Sequence, residues 1–385
     1  MPLLMIPGPI EVSERVREAA GGPPPGHLAE GFVESFGKAL DEMREVWMAG
    51  EDAQPFVIAG SGTIAMEMAV TNLLEPGQRA VVASSGYFSE RIAEMVRRRG
   101  VEVTVVGAEP GGAPAIDAVG EALEATGAKA LLATHVDTST GVRVDAKALA
   151  ELAREHGVLS IFDGVCATAA ERFEMEAWGA DVYLTASQKA IGLPAGLAML
   201  VASRRAMDAR AALKTPPPMS IDFEQWLPIM KAYERRDKAY FSTPATTLVR
   251  ALPVALEEIL ERGMEARFAL HERGGRAFRA AWASMGLELL PERPELAANT
   301  LSALWLPEGV GPELVPAVKA RDVVIAGGLH PDLKTKYFRV GHMGVVLTRP
   351  DDLHRTVRAV GEALNEKGHE VDVDAAVAAF DSAFG

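Results

Sequence analysis

From about residue 55 onward, short β-branched runs alternate with stretches of helical period. The apolar runs are Arg79 to Ala83, Val101 to Val106, Ala130 to Ala133, Val158 to Phe162 and Val182 to Leu184. Between them, Ser89–Arg99, Ile116–Ala125 and Asp145–His156 read as amphipathic helices. Asp117 and Asp145 suit helix starts, and Gly100, Gly127 and Gly157 stand where left-handed helix stops are expected. This spacing predicts an α/β fold, a mostly parallel sheet covered by helices on both faces.

The alternation stops near Lys214, where three prolines follow Thr215, and a long mixed helical region runs from Phe223 to about Gly263. A second, smaller α+β unit is expected beyond it. It contains a helix over Arg267–Met285, strands near Leu287–Leu290 and Leu301–Leu306, and a helix over Pro312–Arg321. Strands at Val323–Ala326 and Tyr337–Val340 and a closing helix from Asp351 complete it. The expected organisation is an N-terminal arm (1–15), a large domain (16–264) and a small C-terminal domain (265–385). The run Gly21-Gly22-Pro23-Pro24-Pro25-Gly26 reads as a rigid loop, and the tail after Lys367 as acidic and weakly helical.

Charge narrows the partners. With 39 basic against 53 acidic side chains the formal charge is −14, which repels nucleic-acid phosphates and anionic lipid headgroups. A small anionic ligand in a locally positive pocket is still allowed. The only cysteine is Cys166, so neither an intrachain disulfide nor a Cys-rich metal site can form. The apolar start, Met1 to Pro9, lacks the basic residues and long apolar run of a secretory signal. A cytoplasmic protein is expected.

Three groups fall at expected strand ends on one side of the sheet. Gly60-Ser61-Gly62-Thr63 opens a helix running from Ile64 to about Leu74. Small residues let a ligand approach the backbone, and a helix N-terminus offers it free N–H groups and a positive dipole end. On this motif alone, a phosphate cradle and a plain capped turn stand level. It is not a P-loop, since no Gly-Lys-Ser/Thr follows, and no Gly-x-Gly-x-x-Gly supports a dinucleotide. Asp163 ends an apolar strand, at the edge where ligands sit in open parallel sheets. Lys189 follows the next strand and precedes the small-residue loop Ala190 to Gly196. Burial there favours the neutral amine, which is what Schiff-base chemistry needs. An anion cradle, an acid for a pyridine nitrogen and an imine-forming lysine are together what pyridoxal 5′-phosphate requires.

Several further segments, in order along nearly the whole chain, carry a resemblance. They are Pro7-Gly8-Pro9, Gly60–Thr63, Thr134–Gly141, Phe162–Cys166, Ser187-Gln188-Lys189, Tyr240–Pro244 and Arg339–Gly344. With them the sequence resembles the class V, fold-type I aminotransferases of the alanine–glyoxylate and serine–pyruvate family.

That resemblance implies roles. Lys189 would bond the cofactor and then carry the proton between the substrate's Cα and the cofactor. Asp163 would keep the pyridine nitrogen protonated. Val165 would pack beneath the ring and Tyr87 stack above it, although a plain core or surface tyrosine competes for that assignment. Ser61, Gly62, Thr63 and Gln188 would bind the phosphate, and Tyr240 and Thr243 would reach the phosphate of a neighbouring subunit in a homodimer. Thr138 or Ser139 would lie near the ring substituents. Arg339, taken to begin a loop after a strand ending at Phe338, would grip the substrate carboxylate through two parallel hydrogen bonds. Gly8 would border the substrate and leave room for a small amino acid only. His135, His342 and Cys166 are expected to be structural. The segment His27–Phe32 departs from the family pattern by lacking a polar residue after the histidine and a proline before the glutamate.

The implied reaction moves the amino group of alanine or serine to glyoxylate or pyruvate. Its alternatives are a lyase, a phosphonate-substrate transaminase or an epimerase with the same cofactor, or a non-enzymatic scaffold.

Overall fold

The structure is a computed structural model, and it describes residues 2–385. Seven strands form the main sheet, in spatial order Gln54–Ala59, Leu197–Ala202, Val182–Ala186, Leu159–Asp163, Ala130–Thr134, Arg79–Ser84 and Glu102–Gly107. Leu197–Ala202 runs antiparallel to both of its neighbours and the other six strands are mutually parallel. The inner strands read as unbroken apolar runs because helices cover both faces: all five residues of Ala130–Thr134 are buried. Glu102–Gly107 has a neighbour on one side only, and none of its residues is fully buried.

Two strands escaped the sequence pattern. Gln54–Ala59 carries Pro55, which argues against an inner strand, and the structure places it at the sheet edge. Leu197–Ala202 (Leu-Ala-Met-Leu-Val-Ala) has a single β-branched residue, and burial between two strands overrides its helical composition. The mixed region resolves into two helices, Phe223–Glu234 and Thr246–Arg262.

Apolar side chains bury in two main clusters. The larger draws on residues from Val16 to Ile259 and lies around the seven-stranded sheet. The second draws on Leu270 to Phe380 together with Leu3 and Met5 of the N-terminal segment. Leu3–Leu4 pairs in parallel with Val323–Val324, so the chain's start is tied to its C-terminal part. The expected strand near Leu287–Leu290 is reduced to an isolated bridge from Leu289 to Leu304. Val323–Ala326 divides into Val323–Val324 and Ala326–Gly327, which pair with different partners. The tail is firmer than its composition suggests. Asp372 caps the helix Val373–Phe384, and Phe380 packs edge-on against Phe278 with ring centres 5.0 Å apart.

Among the described residues no helix is long and apolar enough to cross a membrane. No cluster of His, Cys, Asp and Glu among them could hold a metal ion.

Candidate active site

Five of the six parallel strands end at Ala59, Ser84, Thr134, Asp163 and Ala186, and the chain segments that follow converge on one edge of the sheet. They enclose a cavity of about 190 Å³ lined by Ser61, Gly62, Thr63, Thr138, Asp163, Val165, Gln188 and Lys189, all sequence candidates. Met66, Phe88, Arg91, Val136 and Cys166 complete its wall. A larger hollow of about 270 Å³ opens at the opposite edge beside Asp181 and Arg205. Those two side chains are already paired with each other.

The anion cradle is the N-terminus of the helix Gly62–Leu73. Ser61 is its N-cap, but the Ser61 hydroxyl makes no capping bond, so the first-turn N–H groups and the hydroxyl remain available. Gly62 is required by space. A Cβ there would stand 2.7 Å from Val165 Cγ2, and real side chains do not approach so closely. The Gln188 Oε1 is buried at the same wall with no hydrogen-bond partner. An orphaned buried amide is expensive, and a bound group that satisfies it removes the cost.

Asp163 is the last residue of its strand and only 2% exposed. Burial pushes its carboxyl up to about 7, and the nearby Asp137 pushes in the same direction. The Val165 N–H, which donates to Oδ1 at 2.8 Å, and the charges of Lys189 and Arg91 oppose that rise. Burial pushes the Lys189 amine down, and Arg339 adds to this, while Cys166 and Asp163 hold it up. The lysine Nζ donates to the Pro7 carbonyl. A neutral-leaning amine and a carboxylate poised near neutrality therefore face the same small cavity.

Asp137 is a group that sequence reasoning passed over. Fully buried, it accepts from the N–H groups of Phe88 (2.9 Å) and Ser89 (3.1 Å) with one oxygen. With the other it accepts from the N–H (3.0 Å) and hydroxyl (2.6 Å) of Ser139. The Ser139 hydroxyl in turn accepts from the Tyr87 N–H at 3.0 Å. The helix Tyr87–Arg98 starts after a glycine and has no cap of its own, so Asp137 supplies one from across the fold. Ser139 is thus engaged in that anchor, and of the pair Thr138/Ser139 it is Thr138 that lines the cavity.

Two expectations are corrected. Phe88 and Arg91, one helical turn apart, line the cavity and Tyr87 does not. The Tyr87 hydroxyl instead accepts from Arg91 Nη2 at 3.1 Å. The signal lay one residue along in Gly86-Tyr87-Phe88, and only the helix phase chooses between the two aromatics. Arg339 does not begin a loop. It lies mid-strand in Tyr337–Gly341, 8% exposed, donating to the carbonyls of Thr138 and Gly327 at 2.9 Å each. Gly8 abuts the lysine: a Cβ on it would stand 2.5 Å from Lys189 Nζ.

Tyr240 and Thr243 are not in this cavity. They lie in an exposed segment, with the Tyr240 side chain 59% exposed and its ring 5.1 Å from that of His27. His135 bonds the Tyr183 hydroxyl at 2.9 Å, and His342 bonds Ser302 at 3.0 Å. Burial drops both imidazoles to about 3, so they stay neutral in the fold. Cys166 is buried with its thiol pushed up by burial.

The class-V aminotransferase family model matches residues 25–265. The chain belongs to the class-V aminotransferases. It is 38% identical to alanine–glyoxylate aminotransferase 1 of Saccharomyces cerevisiae, over 89% of this chain and 92% of that one. It is 34% identical to an L-aspartate–glyoxylate aminotransferase of Paracoccus denitrificans, over 89% of this chain and 86% of that one. The crystal structure of ureidoglycine–glyoxylate aminotransferase from Bacillus subtilis superposes with a TM-score of 0.91 at 24% identity. It covers 100% of this chain and 98% of that one, which shows the shared fold-type I architecture.

Proposed function

We propose that this aminotransferase holds pyridoxal 5′-phosphate in the cavity between Ser61 and Lys189. With it, the amino group of a small L-amino acid, alanine or serine, passes to glyoxylate or pyruvate. The observation that carries the proposal is the meeting of three features at one wall. They are the uncapped helix N-terminus at Ser61–Thr63, the buried carboxylate of Asp163 and the low-lying amine of Lys189.

When bound, the cofactor supplies an aldehyde for the amine and an electron sink for the carbanion at the substrate's Cα. Every other task falls to the chain. Ser61, Gly62 and Thr63 bind the phosphate with backbone N–H groups and hydroxyls, and the Gln188 amide adds a side-chain contact. Asp163 holds a proton at the ring nitrogen. A cationic partner there brings its carboxyl back toward the ordinary range, so the ion pair forms only as the cofactor enters. Val165 and Phe88 exclude water from the ring faces, and Thr138 faces its substituents. Lys189 would be the residue that bonds the cofactor's aldehyde, and its free amine would move a proton from the substrate's Cα as the general base. Arg339 fixes the substrate carboxylate with the part of its guanidinium not bonded to Thr138 and Gly327. A lysine cannot reproduce that two-pronged geometry.

The exposed Tyr240 and Thr243 complete the phosphate site of a second copy, which makes the functional unit a homodimer with shared sites. A single buried cysteine and the absence, among the described residues, of a helix fit to cross a membrane accord with work in the cytoplasm.

The test is a donor and acceptor screen of the purified holoenzyme. Alanine or serine with glyoxylate should give glycine and the matching 2-oxo acid, and Lys189→Ala should abolish it. L-Aspartate belongs in the panel because the Paracoccus relative is named for it. Failure of every small donor, or full activity in Lys189→Ala, would end the proposal.

A further inference from the structure

The segment that reaches Lys189 from outside the large domain is held at both ends by backbone hydrogen bonds. The N–H groups of Leu3 and Met5 donate to the carbonyls of Asp322 and Val324 at 2.8 Å each. The Gly341 N–H donates to the Met5 carbonyl at 2.7 Å, and the Ile10 N–H donates to the Gln188 carbonyl at 3.2 Å. Between these anchors, Pro7 and Gly8 cross the lysine. Two glycines make the crossing possible. Gly8, at φ +121°, brings the backbone within reach of Lys189, and a methyl there would stand 2.5 Å from Cδ and from Nζ. Gly341, at the end of the strand carrying Arg339, lies so close to the segment that a Cβ would meet the Ile6 carbonyl and stand 2.6 Å from the Pro7 nitrogen. A backbone route therefore runs from the Arg339 strand, through Gly341 and Ile6–Pro7, to the lysine amine.

We propose that the Pro7 carbonyl is the resting acceptor of the Lys189 amine whenever that amine is not bonded to the cofactor. On this account Pro7–Gly8 is a positioning element of the chemistry, held in place by Gly341. The inference rests on the pyridoxal phosphate assignment above.

The physical argument is a balance at Nζ. Desolvation and the Arg339 guanidinium favour the neutral amine, whereas the Asp163 carboxylate and the Cys166 sulfur favour the ammonium. A carbonyl can only accept, so it bonds the ammonium more strongly than the amine and adds to the second side. Condensation needs the neutral amine: its lone pair attacks the aldehyde carbon, a C–N bond forms, and the carbonyl oxygen leaves as water with the two protons that the nitrogen gives up. Withdrawing the Pro7 carbonyl thus lets the amine lose its proton at lower pH. The same carbonyl gives the freed lysine a fixed place to return to.

The test uses the full-length chain stripped of cofactor. Pyridoxal phosphate is added across a pH series, the reaction is stopped with borohydride, and label on Lys189 is quantified by peptide mass spectrometry. Gly341→Ala displaces the Ile6–Pro7 backbone from its present place without touching the lysine, and Gly8→Ala occupies the lysine's resting place. Both should move the midpoint of the rate–pH profile downward by about one unit, a tenfold change in the protonation equilibrium. If Gly341→Ala does not fold, Gly8→Ala carries the test alone. A midpoint unchanged from wild type in every folded variant overturns the inference. No label on Lys189 in the wild-type chain overturns the cofactor assignment and this inference with it, a result distinct from an unmoved midpoint.

Discussion

Replacing Asp163 by asparagine should stabilise the cofactor-free protein in alkali while destroying its activity. The carboxyl is raised by burial from an ordinary 3.8 to about 7, so the folded chain keeps its proton over a range where the unfolded chain has lost it. Stability consequently falls as pH rises from about 3.8, and the loss is complete once pH has passed 7. At about 1.4 kcal/mol per pH unit, the full penalty is on the order of 4 kcal/mol. Between pH 5 and pH 8 the part still to be lost is on the order of 3 kcal/mol. An asparagine never ionises, and its side-chain oxygen can keep the bond from the Val165 N–H.

Urea unfolding of the two cofactor-free proteins at pH 5 and pH 8 reads this directly. The stability gap in favour of Asp163→Asn should widen by about 3 kcal/mol from the lower to the higher pH. Adding pyridoxal phosphate should then stabilise the wild type far more than the variant. A gap that is the same at both pH values, or a variant less stable than wild type at pH 8, would refute the idea that this carboxylate is held ready for a cationic partner.

Gly62→Ala should weaken pyridoxal phosphate binding at least tenfold by equilibrium dialysis, because its Cβ would stand 2.7 Å from Val165 Cγ2 in the cavity floor. Phe88→Ala should weaken it about tenfold, in line with the ~0.5–1.5 kcal/mol of an aromatic contact beyond its area, and Tyr87→Ala should barely change it. The reverse order would show that Tyr87 stacks on the ring after all. Asp137→Asn should lower stability by about 2 kcal/mol in a urea titration, since a charged acceptor shared by five donors is lost. Arg339→Lys should raise KM for the amino donor more than tenfold and leave cofactor affinity unchanged, as checked by steady-state kinetics beside dialysis.

Periodicity and residue type were enough to place most of the parallel strands and the helices between them. Strands buried on both faces need unbroken apolar runs, and helices closed by glycine leave a local mark, as at Gly127 with φ 61°. The same local logic put Ser61–Thr63, Asp163 and Lys189 at strand ends, because a carboxylate or an amine just beyond an apolar run stands out against its surroundings. Where two forces competed, the sequence was silent. Leu197–Ala202 looks helical and becomes a strand only because two neighbours bury it.

The amino-acid order by itself determined the layered α/β plan, the acidic surface and which reactive side chains stand at strand ends, since these depend on local propensity and on charge. Only the tertiary structure decided that Phe88 and not Tyr87 faces the cavity, that Asp137 caps a helix far from it in the chain, and that the Pro7 carbonyl meets Lys189 across 182 residues. Those outcomes depend on the phase of a helix and on contacts between distant segments. Both are fixed by packing the whole chain at once, and no local window of residues contains them.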